Sequence, residues 1–264
     1  MTAASVHRPA SAPAPTPRVA PWTWVTVFTR MLAIQGSWNY ETLIGNGIGF
    51  CVEPVLRSLP GGVHGQEFKA AMARESTYFN AHPYLAAVAV GALARAELSG
   101  VPPQRIERFR TALCGPLGSV GDQLVWAGWL PFSSLVALIG FGLGMRPLAV
   151  VLTFLLLYNT GHLALRAWGL HVGWTRGLGV ASALGNPTLR RGPAHVSRAA
   201  AAAAGLAIPL TAAHVVGGGA TLIALVLTGA AAVAVMLIRL HGRVEGWKLS
   251  LVLIALFALI SVAR

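Results

Sequence analysis

The sequence predicts an all-α integral membrane protein built from re-entrant or broken helical hairpins, followed by C-terminal transmembrane helices. Three observations carry that prediction. Charged residues make up 11 % of the 264-residue chain, well under the ~25 % of an ordinary soluble domain. Mean hydropathy is +0.64, and a chain of this size has too little interior to hide so much apolar surface, so lipid is the expected solvent. Finally, Gly, Pro and amides repeatedly interrupt the apolar runs, and in lipid such breaks need protein or water to pair the freed backbone groups.

Residues 1–21, rich in Ala, Pro, Ser and Thr, are expected to form a disordered, cytoplasmic tail. They lack the apolar h-region of a signal peptide, and their prolines oppose a helix. Residues 22–185 form the expected core and 186–264 a C-terminal transmembrane hairpin with a final helix. The core opens on WTWVTVFTRMLAI, where Trp22, Trp24, Val25, Phe28, Met31 and Leu32 fall mainly along one side of a helix. This helix either lies in the membrane interface or packs on the protein. MLAIQGSWNYETLIGNGIGF (31–50) mixes large apolar residues with Gln35, Asn39, Glu41 and Asn46, and its Gly45, Gly47 and Gly49 weaken a helix.

Residues 55–82 carry ordinary polar surface, including Arg57, His64, Glu67, Lys69, Arg74 and Glu75. Phe68, Met72, Glu75 and Phe79 at helical spacing predict a helix that ends before Pro83. After YLAAVAVGALARAEL comes PPQRIERFR, a stretch expected in water or at the interface. Two apolar runs follow, 111–145 and 147–175; Gly115-Pro116 and Pro131 are expected to break the first, and Asn159, Gly161 and His162 to interrupt the second. In the C-terminal part, clusters at Arg190, Arg191, Arg198 and at Arg239, Arg243, Lys248 bracket an out-and-back hairpin. The positive-inside rule places both clusters in the cytoplasm and the C-terminus outside.

The net charge of +12 comes from 20 Lys and Arg against 8 Asp and Glu. The arginines sit between apolar runs, as in cytoplasmic loops facing anionic lipid, rather than in a basic stripe interleaved with stacking aromatics, so nucleic acid is not expected. Cys51 and Cys114 lie in apolar surroundings and read as buried free thiols. No metal-ligand spacing occurs, and no cofactor is expected.

Catalytic motifs are missing as well. Asp122 is the sole aspartate; a membrane aspartyl protease needs a second, and in Gly118-Ser119-Val120-Gly121-Asp122 its Gly-x-Gly-Asp motif lacks the first glycine, where Ser119 stands. No Gly-x-Ser-x-Gly elbow is present. GNGIGF and GFGLG lack the strand–loop–helix setting of a dinucleotide site, and helix breaking or close helix packing explains them better. What remains is a scatter of polar groups in apolar segments: Gln35, Asn39, Glu41, Asn46, Asn80, His82, Asp122, Gln123, Asn159 and His162. Each either satisfies a broken helix end or serves a function. As a set they suit a polyol, with Trp38, Trp126 and Trp129 offering an aromatic face.

Four blocks carry a resemblance. IQGSWNYE (34–41), FNAHPYLA (79–86), GPLGSVGDQLVW (115–126) and YNTGHLALRAWGLHVGWTRG (158–177) resemble, in order and approximate spacing, the enzyme IID subunit of the mannose/fructose/sorbose-family phosphotransferase system. The C-terminal hairpin resembles it in hydropathy only; the alanine run 199–204 and the Pro-rich tail depart from the family pattern. The resemblance implies a multi-pass subunit of the bacterial inner membrane that joins enzyme IIC to form a sugar permease, within a higher IIC–IID oligomer in lipid. It implies IIA and IIB phosphocarrier partners and a hexose substrate that IIB phosphorylates as it crosses. It also implies a non-catalytic chain whose histidines carry no phosphate. The expected site has Gln35, Trp38, Asn39 and Glu41 along one side of a polar seam, with Asn80, His82, Asp122, Trp126, Asn159 and His162 nearby, lining the sugar path or the interface with IIC. A non-transporting assembly or regulatory subunit is the alternative.

Overall fold

The computed structural model describes residues 18–180 and 187–217, together with 224, 228, 229, 231 and 232. Most of the tail, most of the second arm of the C-terminal hairpin and all of the final helix lie outside the described residues. Among those described there is no strand, and two isolated β-bridges join Asn39 to Leu43 and Leu43 to Phe79. Among the described residues, three helical stretches are long and apolar enough to cross a membrane: Pro103–Gly142, Pro147–Gly179 and Arg191–Val215.

Among the described residues the chain divides into two compact units, one comprising 18–134 with 153–180 and 187–200, the other 135–152 with those from 201 onward. In the first unit, α1 (Pro21–Leu32) starts where Pro21 pre-sets the helical φ without losing a needed N–H. It buries Val27 and Met31 and leaves Trp22, Val25 and Leu32 exposed. Its packed side thus runs through Val27 and Met31, with Trp24 and Phe28 at its margin, and Trp24 meets Trp174 edge-on at 4.6 Å.

Helix α2 (Gly45–Leu56) is buried almost throughout. Its glycines serve close packing rather than bending. A methyl group at Gly45 would land on the Thr77 carbonyl, at Gly47 on the Ile34 carbonyl, and at Gly49 on the Ser76 hydroxyl. Helix α3 (Gln66–Glu75) stops earlier than its apolar periodicity predicts. Phe79 has left helical geometry because its N–H donates to the Thr42 carbonyl at 3.1 Å while its own carbonyl accepts the Ile44 N–H at 3.2 Å. Glu75 is fully buried rather than part of the polar surface.

Helix α4 (Ala86–Leu98) is the centre of the unit, and every residue from Ala86 to Ala94 is buried. Small side chains let the 30-residue helix α7 (Pro147–Arg176) cross it backbone to backbone. A methyl at Gly173 would strike the Val88 carbonyl, and one at Gly91 would strike the carbonyl of Leu170. This is the small-residue packing expected where lipid gives helices no hydrophobic reason to associate.

The run from 103 to 142 is helical throughout but changes register. Helix α5 (Pro103–Gly121) passes through Pro116, a π-helical stretch spans Asp122–Trp129, and α6 (Leu130–Gly142) continues. The Leu130 N–H donates to the Val125 carbonyl, five residues back. Pro131 has no N–H for an i→i−4 bond and its ring crowds the preceding turn, which the wider π turn relieves. Helix α7 runs uninterrupted past Asn159, Gly161 and His162. There the Asn159 amide donates to the Leu155 carbonyl at 2.6 Å and its Oδ1 pairs with His162 Nε2 at 2.9 Å, so the helix satisfies Asn159 internally, while His162 Nδ1 stays buried without a partner.

In the second unit the end of α6 crosses α8 (Pro187–Val216) so closely that a methyl at Gly142 would lie 2.7 Å from Leu210. The Thr211 hydroxyl donates to the Leu138 carbonyl at 3.3 Å, and His214 packs edge-on against Phe141 at 4.8 Å.

Candidate functional site

Between α3 and α4 the chain runs without helix through Thr77–Leu85, and Pro83 helps keep it so. One end of this segment is moored by charge. Arg110, on α5, donates to the Glu75 carboxylate at 2.5 Å, to the Glu75 carbonyl at 3.1 Å and to the Thr77 carbonyl at 2.9 Å. Neighbouring Arg74 grips Glu97 through two bonds of 2.8 and 2.7 Å. Burial pushes the Glu75 carboxyl above the usual carboxylate range; Arg110 opposes that rise and Glu97 adds to it. Of its two oxygens, Oε1 is buried without a hydrogen bond.

The other side of the segment is held by the loop after α1. There Asn39 Oδ1 accepts the Glu41 and Thr42 N–H groups, both at 2.9 Å, and Nδ2 donates to the Thr42 hydroxyl at 2.9 Å and the Ser37 carbonyl at 3.2 Å. Asn39 therefore spends its hydrogen bonds on its own turn. Leu43, at φ 50°, is the one non-glycine residue with positive φ among those described. Its strain is held by the pairing of its neighbours Thr42 and Ile44 with Phe79.

So fixed, the segment faces α5 across a cleft of about 500 Å³ lined by Tyr78, Asn80, His82, Ser119, Asp122 and Trp126, among others. The two walls meet where Gly121 makes room for the His82 ring. His82 Nδ1 accepts the Tyr84 N–H at 3.2 Å, which leaves the ring proton on Nε2, a buried donor with no partner.

Behind His82 lies an aromatic cluster centred on Tyr84. His82 sits 5.0 Å from Trp126 and 4.9 Å from Tyr84, and Tyr84 stacks on His162 at 4.8 Å. The Tyr84 hydroxyl meets that of Tyr158 at 2.6 Å, and the Arg166 guanidinium covers the Tyr84 ring at 4.7 Å. A second cavity of about 190 Å³ is bounded by Tyr84, Trp129 and His162. Arg166 is buried within an apolar helix and bonds to the carbonyls of Met31 and Pro83. No ion pair involves it among the described residues.

The geometry thus brings Asn80, His82, Asp122 and Trp126 into one cleft and joins Asn159 and His162 to it through Tyr84. Gln35, Trp38 and Glu41 do not share it; they are exposed on the loop, with Trp38 edge-on to Tyr40 at 4.9 Å. Asn39 is half-buried and structural. Sequence reading passed over Tyr84, Ser119 and Arg166, although a lone cation inside a long apolar run was a usable signal.

Residues 19–208 match the family described as the PTS system mannose/fructose/sorbose family IID component. The chain belongs to this family. This IID chain is 30 % identical over 171 residues to the mannose-specific EIID component of Escherichia coli K12, covering 62 % of this chain and 59 % of that protein. To the sorbose-specific EIID component of Klebsiella pneumoniae it is 30 % identical over 175 residues, covering 63 % and 61 %. The fructose permease IID component of Bacillus subtilis 168 is 28 % identical, with 58 % and 56 % covered. The matched region thus spans about six-tenths of these relatives' length. Among solved structures, one described as a membrane protein superposes with a TM-score of 0.63 at 26 % identity, covering 72 % of this chain and 70 % of that one. A cryo-EM structure of the mannose transporter ManYZ with microcin E492 gives a TM-score of 0.55 at 24 % identity over 93 % and 96 % of the two chains, a likeness of fold.

Proposed function

We propose that this IID chain is the non-catalytic half of a sugar permease in the bacterial inner membrane. It pairs with a IIC membrane subunit in a higher oligomer, and the pair moves a hexose that the IIB phosphocarrier, charged by IIA, phosphorylates. Relatives named for mannose, sorbose and fructose support the substrate class. The observation that carries the reading is the cleft itself. A carboxylate, an amide, an imidazole and an indole line it together, drawn from segments that match the family. Such a set can hydrogen-bond vicinal hydroxyls while the indole covers the C–H face of a ring.

The exposed loop bearing Gln35, Trp38 and Glu41 lies apart from the cleft and suits contact with IIC. Its edge-on Trp38–Tyr40 pair offers the amphipathic aromatics common at protein interfaces.

Uptake and phosphorylation of labelled hexoses, in membranes carrying the cognate IIC, IIA and IIB with and without this chain, test the proposal. Uptake should require the chain; unchanged sugar phosphorylation without it refutes the reading. Asp122→Asn should lower uptake at least tenfold while the complex still purifies intact, and unchanged uptake would remove Asp122 from the site.

A further inference from the structure

A second polar site lies away from the cleft, where α4 and α7 end and α5 begins. Arg95, Arg105 and Arg176 converge there on a pocket of about 280 Å³ that also includes Ser99, Val101 and Leu178. Two left-handed glycine turns shape it. Gly100, at φ 62°, ends α4, and Gly177, at φ 53°, ends α7 and lies against the Arg95 stem. Arg95 Nη1 donates to the Trp174 carbonyl at 3.0 Å and to the Thr175 carbonyl, so this arginine is fixed in place by the end of α7. None of the three arginines joins an ion pair among the described residues. Of the nearby acids, Glu97 is held by Arg74, and exposed Glu107 stands two residues from Arg105, a spacing that points it to a different side of the helix.

Position in the fold identifies the ligand. One apolar span begins at Pro103 and the next ends at Gly179. Arg105 in the first turn of one and Arg176 at the end of the other therefore sit at the same membrane surface. That end also carries Arg95 and Arg108, whereas the connection between the spans, 143–146, holds Arg146 alone. The positive-inside rule makes the arginine-rich end cytoplasmic, facing the leaflet rich in anionic lipid. Guanidinium forks match phosphate oxygens, and Val101 and Leu178 give the pocket an apolar part that a free phosphate ion would leave unused.

We propose that Arg95, Arg105 and Arg176 bind the headgroup phosphate of an anionic phospholipid. This inference stands apart from the sugar-site proposal, since it uses none of the cleft's residues.

The test is native mass spectrometry of the full chain, co-purified with its membrane partner, delipidated and then titrated with phosphatidylglycerol or phosphatidylcholine. The wild-type complex should retain phosphatidylglycerol in preference to phosphatidylcholine. Arg105→Gln with Arg176→Gln should cut that preference roughly tenfold or more, the scale of two interfacial basic side chains. Both residues are exposed, so folding should survive; Arg105→Gln alone makes the same comparison if the double variant does not assemble. Arg108→Gln, exposed on the same helix but outside the pocket, should behave as wild type. Equal retention of both lipids, or no change in the double variant, overturns the proposal. So does displacement of the lipid by millimolar inorganic phosphate alone, which would mark a free-anion site. Unchanged lipid retention with lost binding of a soluble phosphocarrier would instead make the pocket a protein-docking site and equally overturn it.

Discussion

Replacing Arg110 by Leu removes three hydrogen bonds at once and leaves the Glu75 carboxylate buried without its cation. Both side chains are almost inaccessible, at 3 % and 0 % exposure, so solvent does little to screen the loss. Breaking a buried ion pair from one side costs about 3–5 kcal/mol, and Arg110→Leu belongs at the upper end because the Glu75 and Thr77 carbonyls lose their donor too. Glu75→Leu belongs near ~3 kcal/mol, since Arg110 keeps its two carbonyl partners and only the charge is unmatched. The double replacement removes both desolvated charges together. It should cost roughly 2 kcal/mol, about 1 kcal/mol for each orphaned carbonyl. The single costs therefore exceed the double by several kcal/mol. The assay is unfolding of the detergent-solubilised complex across a denaturant titration, followed by tryptophan fluorescence, for wild type, both single variants and the double, at a pH above the value of about 8 to which burial pushes the Glu75 carboxyl, so that the pair is charged. Additivity within about 0.5 kcal/mol would refute the reasoning, because uncoupled sites add to that precision.

The same network predicts a pH dependence. Since burial raises the Glu75 carboxyl, the folded state holds that proton more tightly than the unfolded chain. Stability is then full below the ordinary carboxylate range and declines as pH rises through the raised value. A series of melting curves from about pH 5 upward should show that decline in wild type and a flatter profile in Glu75→Gln; parallel profiles would count against it. Gly47→Ala places a methyl on the Ile34 carbonyl and should destabilise by about 1–3 kcal/mol or prevent assembly, whereas Gly205→Ala, inside a helix with open space around it, should stabilise by about 0.5–1 kcal/mol in the same melting assay. Asn39→Ala should loosen the loop by about 1–2 kcal/mol and increase protease cleavage between 35 and 44 without changing sugar affinity; a change in affinity with an intact loop would give Asn39 a direct role.

Fold class was legible because hydropathy and charge are global quantities that no local detail reverses. Helix limits were less so. The periodicity of Phe68, Met72, Glu75 and Phe79 continues past Glu75, but Phe79 is won by long-range pairing with Thr42 and Ile44, which sequence spacing does not encode. Pro131 announced a disturbance; that it would widen a turn rather than end the helix depended on α6 continuing beyond it. At the site, Asn80, His82, Asp122 and Trp126 could be grouped as polar or aromatic residues in apolar runs, and the fold does gather them. The same criterion also collected Gln35 and Glu41, because it cannot distinguish an exposed loop from a sheltered cleft. Asn39 met it while serving only its own turn. Tyr84, the hub of the aromatic cluster, escaped because an aromatic in an apolar stretch looks like core.

The crossing of α4 and α7 has a mechanical consequence. With Gly91 and Gly173 bringing main chain against main chain, no layer of pliable side chains separates the two helices to absorb sliding. During any transport cycle they should travel together as a stiff strut, with hinging left to the non-helical stretch 77–85 and the wide turn at 122–129. A crosslink between α4 and α7 should then spare turnover, whereas one that pins the 77–85 stretch to α5 should arrest it.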